Sequence, residues 1–269
     1  MSEIPGPSSA GDRARDRPRL YRGPGAPLAV SIGVGAYALA VSTLLLLDLV
    51  GGGSWNAAAL GELVAFGAVP VLVVHLHGGT RADLGLVAPP LLGMLGAAVA
   101  GTGTWLVAFR IAVPVVHATH AERSMHELSE QLLAGDVAVV LLTRALVPAV
   151  CEELVHRGLL LGALAPRLGR ALAVVVVSVP FALLHLEPAR MAASFSIGLV
   201  AGALAAWGRS IGPAITVHAV HNGVTLVVGL GLLPAVTRQL DLHPDRALAE
   251  AATLVGIGLF LAWIGRQRS

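Results

Sequence analysis

The chain has 269 residues, of which 55% are hydrophobic and only 13% charged, and its mean hydropathy is +0.78. A water-soluble domain carries about a quarter charged residues, so this composition excludes an ordinary soluble enzyme, a nucleic-acid-binding module, a fibrous protein and a disordered chain, and leaves lipid as the main solvent. The single cysteine, Cys151, excludes a disulfide framework and a multi-cysteine metal site; with no lysine present, all 18 basic residues are arginine, and the net charge is +2.

Residues 1–26 hold Arg13, Arg15, Arg17, Arg19 and Arg22 among Pro5, Pro7 and Pro18, a pattern expected of a disordered cytoplasmic tail. The first apolar stretch is too long and begins too late for a cleaved signal peptide. A spanning helix needs about 20 mostly apolar residues. Eight stretches meet or approach that length: 27–50, 57–77, 89–116, 137–164, 168–186, 190–207, 211–233 and 248–265. The third contains Arg110 and is long enough to tilt, and the sixth and eighth are short. The expectation is an all-α polytopic membrane protein of about eight transmembrane helices. It divides into the tail, an N-terminal helical part over 27–136, a polar-bearing part over 137–233 and a C-terminal helix with its tail over 234–269. With both termini in the cytoplasm, eleven of the arginines fall on the inner side and four outside, as the positive-inside rule asks. A cell membrane is the implied location and the lipid bilayer the implied partner; nothing points to nucleic acid.

A charge at mid-bilayer costs on the order of 2.5–3.5 kcal/mol, so one that persists is paired, faces a cavity or is used. In the first half, Asp48, Glu62, His75, His77 and Arg110 fall mostly near span ends, where snorkelling reaches water. The fourth stretch is different, because it reads Cys-Glu-Glu-Leu-Val-His-Arg over 151–157. Glu153 and Arg157 are four apart and share a helix face, which suits a structural ion pair. Glu152 points about 100° away and has no cation at i+3 or i+4. An unpaired carboxylate in a low dielectric is suited to taking and giving protons. His185 closes the fifth stretch. His218 and Asn222 lie one turn apart in the seventh, with His221 near the same face, and such residues in lipid imply a wet cavity.

Glutamate and histidine together can deprotonate water and later protonate a leaving amine, while a second histidine and an asparagine can donate to the oxyanion of a tetrahedral intermediate. Those are the two needs of peptide hydrolysis. The same Glu152, His185 and His218 can alternatively hold zinc with a water in the open position, although no HExxH helix is present. The sequence permits both. Cys151 adjoins the acids but points about 100° away from Glu152 on a helix, and Ser178 and Ser194 have no evident base at helical spacing, which disfavours nucleophilic catalysis.

Glu152-Glu153-x-x-x-Arg157, then Phe181-x-x-x-His185, then His218-x-x-x-Asn222, resembles the CPBP family. These are the CAAX-protease and bacteriocin-processing (Abi) intramembrane endopeptidases, relatives of the type II CAAX prenyl endopeptidase. Phe195-x-x-Gly198, Trp207 and Ile211-Gly-Pro213-Ala-Ile215 resemble the family too, and the likeness spans 137–228. It implies Glu152 as general base on water aided by His185, His218 and Asn222 as the oxyanion site, and Glu153 and Arg157 as structural support. It implies a peptide or protein substrate reached in or at the membrane, with either a zinc-dependent or a metal-free mechanism. The alternatives are a transporter using these groups as a relay, or a non-catalytic scaffold or immunity protein. Counted down from the cytoplasmic ends at 1.5 Å per residue, the four groups lie at depths from about 10 to about 25 Å. Straight vertical helices would not bring them together, so the fourth and fifth spans, with Pro148 and Pro180, are expected to bend or tilt.

Overall fold

The computed structural model describes residues 27–51, 55–119, 135–208, 210–234, 236, 238 and 244–267. The basic tail over 1–26 lies outside these residues, as do Glu122, Arg123, Glu127 and Glu130 of the connection expected on the outer side.

Among the described residues there is no strand, and the chain forms eight helical rods. The first is α1 (Pro27–Gly51). The second joins α2 (Trp55–Glu62) to α3 (Val69–Leu76) through a wide π-helical stretch, Leu63–Ala68. The third is α4 (Leu91–Thr119). The fourth strings together α5 (Val137–Leu141), a π stretch Leu142–Leu146, α6 (Val147–Glu153), a second π stretch Leu154–Leu160, and α7 (Leu161–Leu168). Then follow α8 (Arg170–Leu183), α9 (Pro188–Trp207), α10 (Gly212–Gly229) and α11 (Pro244–Gln267). The rods follow the eight apolar stretches in order. α1, the second rod, α4, α9 and α11 are each long and apolar enough to cross a membrane. The other three are shorter or carry polar residues: α8 has only 14 residues, the fourth rod holds Glu152, Glu153 and Arg157, and α10 holds His218 and His221. The chain is therefore an all-α polytopic membrane protein. The sixth and eighth rods, expected to be short, have 20 and 24 residues. α8 ends at Leu183, so His185 lies on the turn beyond the helix rather than inside it.

The fourth rod is not a regular α-helix. Pro148 stands in the first turn of α6 and brings no N–H to the ladder, and the π stretch directly before it takes up the mismatch. Pro70 stands the same way after the π stretch of the second rod. Wide π turns thus flank 147–153 on both sides and offset the faces that the acids present from those of a regular α-helix.

α4 runs through the middle of the bundle, flanked by α9, α10 and α11. Glycines let backbones touch there: a Cβ on Gly96 would lie 2.5 Å from the Gly258 carbonyl, and one on Gly258 would lie 2.5 Å from both Gly96 O and Ala100 N. Between rods in lipid, close packing by small residues replaces the hydrophobic drive available in water. The connection after the second rod anchors the start of α10. Gly85, at φ +70, accepts a hydrogen bond from Ile211 N at 3.0 Å, and Ser210 Oγ donates to Val87 O at 2.7 Å. A side chain at Gly85 would meet both a disfavoured backbone and the Ile211 side chain.

Gly258→Leu forces α4 and α11 apart and is expected to cost about 1–3 kcal/mol. The check is the thermal midpoint of the detergent-solubilised protein, and an unchanged midpoint would contradict the backbone contact.

Candidate active site

Three rods and one turn supply the site. Glu153, in the last turn of α6, is fully buried, and so is Arg157 in the π stretch beyond it, at 0% and 1% exposure. Arg157 Nη1 donates to Glu153 Oε1 at 2.7 Å, and Nη2 donates to the Gly198 carbonyl of α9 at 3.1 Å. His218 Nδ1, from α10, donates to the same Glu153 oxygen at 3.0 Å. Removed from the surface, these charges are answered by one another and by the Gly198 carbonyl.

The hydrogen bond to Glu153 fixes His218. Its Nδ1 is spent, so Nε2 is the nitrogen turned outward, 4.0 Å from Glu152 Oε2. Glu152 is a neighbour of Glu153 in sequence but presents the next face of the helix, which leaves its Oε2 buried without a hydrogen-bond partner. The distance is too long for a direct hydrogen bond and is of the order that a small bound molecule can bridge.

Phe181 sits at the centre of the cluster. Its ring meets the rings of His156, His185 and His218 edge-on at centroid distances of 5.1, 5.5 and 5.5 Å, and the Arg157 guanidinium lies 4.3 Å from its centroid. Edge-to-face packing and the cation over the ring lock these side chains without using their polar atoms. His185 Nδ1 donates to Phe181 O at 3.0 Å, leaving Nε2 as its free nitrogen. Beside it Leu186 adopts φ +59, a left-handed conformation rare for such a side chain, and Glu187 caps α9 through Ala189 N and Arg190 N.

Glu152, His185, His218 and Asn222 all line one cavity of about 740 Å³. Glu153 and Arg157 stand behind it. His221 lines it as well, with Nδ1 buried and without a partner. Cys151 is buried in the core and is not part of the wall, whereas Ser194 is, with no basic side chain hydrogen-bonded to it among the described residues. The zinc alternative needs a donor set around Glu152, His185 and His218. Among the described residues no three His, Cys, Asp or Glu side chains are grouped so as to hold an ion.

Several wall residues were not singled out in the sequence. Glu62, placed by sequence near a span end, belongs instead to the cavity wall, together with Arg144 and Arg190. Its surroundings follow from its rod: α2 continues unbroken into the π stretch, so Glu62 lies within the span and faces inward. Trp105 and Phe109 of α4 supply an apolar wall. Tyr37 of α1 hydrogen-bonds His156 Nε2 at 3.2 Å, and His156 Nδ1 donates to the Glu152 carbonyl at 2.7 Å. A histidine one turn after Glu152 was visible in the sequence; its partner 119 residues away was not.

A family model, the type II CAAX prenyl endopeptidase Rce1-like family, matches residues 134–224. The match covers 91 of the 269 residues, so the likeness is to that segment. The Rce1-like segment contains Glu152, Glu153, Arg157, His185, His218 and Asn222, while Tyr37, Glu62, Trp105 and Phe109 come from outside it. No curated protein and no solved structure matches the chain.

Arg157→Leu would strand the Glu153 carboxylate in the core, an expected loss of about 3–5 kcal/mol. Glu152→Gln removes a carboxylate with no such partner and is expected to leave the thermal midpoint within a few degrees of wild type. Equal destabilisation by the two would contradict the separation of roles.

Proposed function

We propose that the protein is an intramembrane endopeptidase that hydrolyses a peptide bond with water activated by Glu152 and histidine. The observation that carries this reading is the shared cavity: Glu152 Oε2 and His218 Nε2 face each other at 4.0 Å, with His185 and Asn222 on the same wall.

In the proposed reaction a water enters beside Glu152. The carboxylate takes its proton, assisted by the free Nε2 of His185, and the oxygen attacks the carbonyl carbon. The developing oxyanion is held by His218 Nε2–H and the Asn222 amide. For that role His218 carries a proton on each nitrogen, and Glu153 on Nδ1 supports the charge. The proton on Glu152 then passes to the leaving nitrogen as the C–N bond breaks, which regenerates the carboxylate. Arg157 holds Glu153, so Glu153 acts by positioning His218. The unit that carries the chemistry is 137–233. Both termini face the cytoplasm of the cell in this reading, and the substrate is a peptide or protein presented in or at the bilayer.

Glu152→Gln and His218→Ala are expected to lower turnover by about 10²–10⁴-fold, and Asn222→Ala by about 10²–10³-fold, in purified protein that still folds. The measurement is cleavage of fluorogenic peptides in detergent micelles, and undiminished cleavage by Glu152→Gln would refute the assignment. Activity is also expected to persist after exhaustive chelation, with elemental analysis of the active sample checking for zinc; loss on chelation and recovery on zinc would refute the metal-free mechanism.

A further inference from the structure

Two polar side chains on the cavity wall take no part in the proposed hydrolysis and have no hydrogen-bond partner among the described residues. They are Ser194 on α9 and His221 on α10, which are 4% and 6% exposed. A hydroxyl inside an apolar helix ordinarily bonds back to a carbonyl about one turn earlier. Ser178 does so on Val174 O, Ser196 on Ala193 O, Thr216 on Gly212 O and Thr225 on His221 O. The Ser194 hydroxyl makes no such bond. The histidines differ in the same way. His185 and His218 are each held through Nδ1, by Phe181 O and by Glu153 Oε1. The His221 ring is held by neither nitrogen: Nδ1 is buried without a partner, which leaves Nε2 as the nitrogen that a molecule in the cavity can reach. Polar groups withdrawn from water are ordinarily satisfied, so two left open on one wall call for a partner.

Their placement is shared. α9 and α10 are consecutive rods joined by a short connection and packed on one another, so they run in opposite senses. Ile197 and Val217 lie in one buried cluster. Ser194 stands one turn before the first and His221 one turn after the second, which sets both beyond that cluster on the same side. His221 also directly precedes Asn222 and follows His218 by one turn, next to the two donors assigned to the oxyanion.

A peptide entering this cavity brings more than the bond to be cut. The N–H and C=O groups of the neighbouring peptide units lose their water there and need partners. A hydroxyl and a neutral imidazole each offer both a donor and an acceptor, the complement of a peptide group. Resting on the proteolytic reading, we infer that His221 and Ser194 bind the main chain of the substrate, each taking a peptide group beside the scissile one. The ligand of this pair is an extended backbone, whose groups are unpaired, rather than any particular side chain. Neither residue moves a proton in the reaction.

The test offers the full-length protein in micelles one apolar fluorogenic peptide, together with copies in which each amide flanking the scissile bond is replaced in turn by an ester. The ester lacks the N–H and has a weaker carbonyl acceptor. Cleavage of the unchanged scissile amide is followed by mass spectrometry. With the wild type, esters next to the cut should lower kcat/KM about fivefold, and esters farther away should not. Ser194→Ala and His221→Leu should each lower kcat/KM for the all-amide peptide by a similar factor, chiefly through KM. Each should also become indifferent to the ester at one position while keeping its sensitivity at the others. His221→Gln, which retains a donor and an acceptor, should recover part of the loss. A role confined to packing would slow every peptide alike and leave the ester ratios unchanged. Ser194→Ala removes one oxygen that has no partner in the protein, so the scan remains decisive even where His221→Leu lowers the thermal midpoint. A flat ester scan with the wild type, or wild-type ester ratios in a folded variant of either residue, overturns the inference. Cleavage of no peptide at all brings down the proteolytic reading, and this inference with it.

Discussion

The double hydrogen bond received by Glu153 Oε1 is the interaction on which the rest depends. A carboxylate cut off from water has to be answered, and Glu153 is answered from its own rod by Arg157 at 2.7 Å and from α10 by His218 at 3.0 Å. One bond answers the charge from within the rod and the other fixes the orientation of His218. Because His218 gives Nδ1 to Glu153, its Nε2 is committed to the cavity. Because Glu153 occupies the inner face, its neighbour Glu152 is carried about 100° around the helix to the face that lines the cavity. Two adjacent acids thereby serve opposite ends, one held in place and one left available.

The surroundings extend the same logic. The Phe181 ring braces three imidazole rings and a guanidinium, and its carbonyl accepts from His185 Nδ1. The π stretches of the fourth rod break the regular face pattern where the acids must be presented, and the turn after α8 brings His185 round to the cavity wall. The N-terminal rods reach the site as well: Tyr37 steadies His156 against the Glu152 carbonyl, and Glu62 and Trp105 form part of the wall. The Rce1-like segment carries the candidate reactive groups, but its cavity is closed by parts of the chain outside it.

The rods were legible in the sequence because bilayer thickness sets a length that apolar composition must meet, and all eight stretches correspond to helical rods. Helix ends were less legible: α8 stops at Leu183, short of the apolar stretch that runs to 186. The Glu153–Arg157 pair could be read from a spacing of four. The His218–Glu153 bond could not, since it joins residues 65 apart and depends on how two rods meet. The straight-rod depth count set the polar groups far apart because it assumed regular helices; π-helical geometry and a histidine placed beyond a helix end fall outside that assumption. Glu62 was misjudged for a related reason: a lone acid in an apolar stretch signals neither depth nor face, and only the position of α2 against the fourth rod makes it a wall residue.

The central claim is that groups from separate membrane rods meet in one cavity to split an amide bond. It is tested most directly by comparing membrane-protein termini and released peptides in cells carrying either the wild-type chain or Glu152→Gln at equal abundance. The account predicts new chain ends and released fragments that appear only with the wild type and that map to segments within or beside a membrane span. Identical sets of termini in the two cells, at equal levels of folded protein, would contradict it.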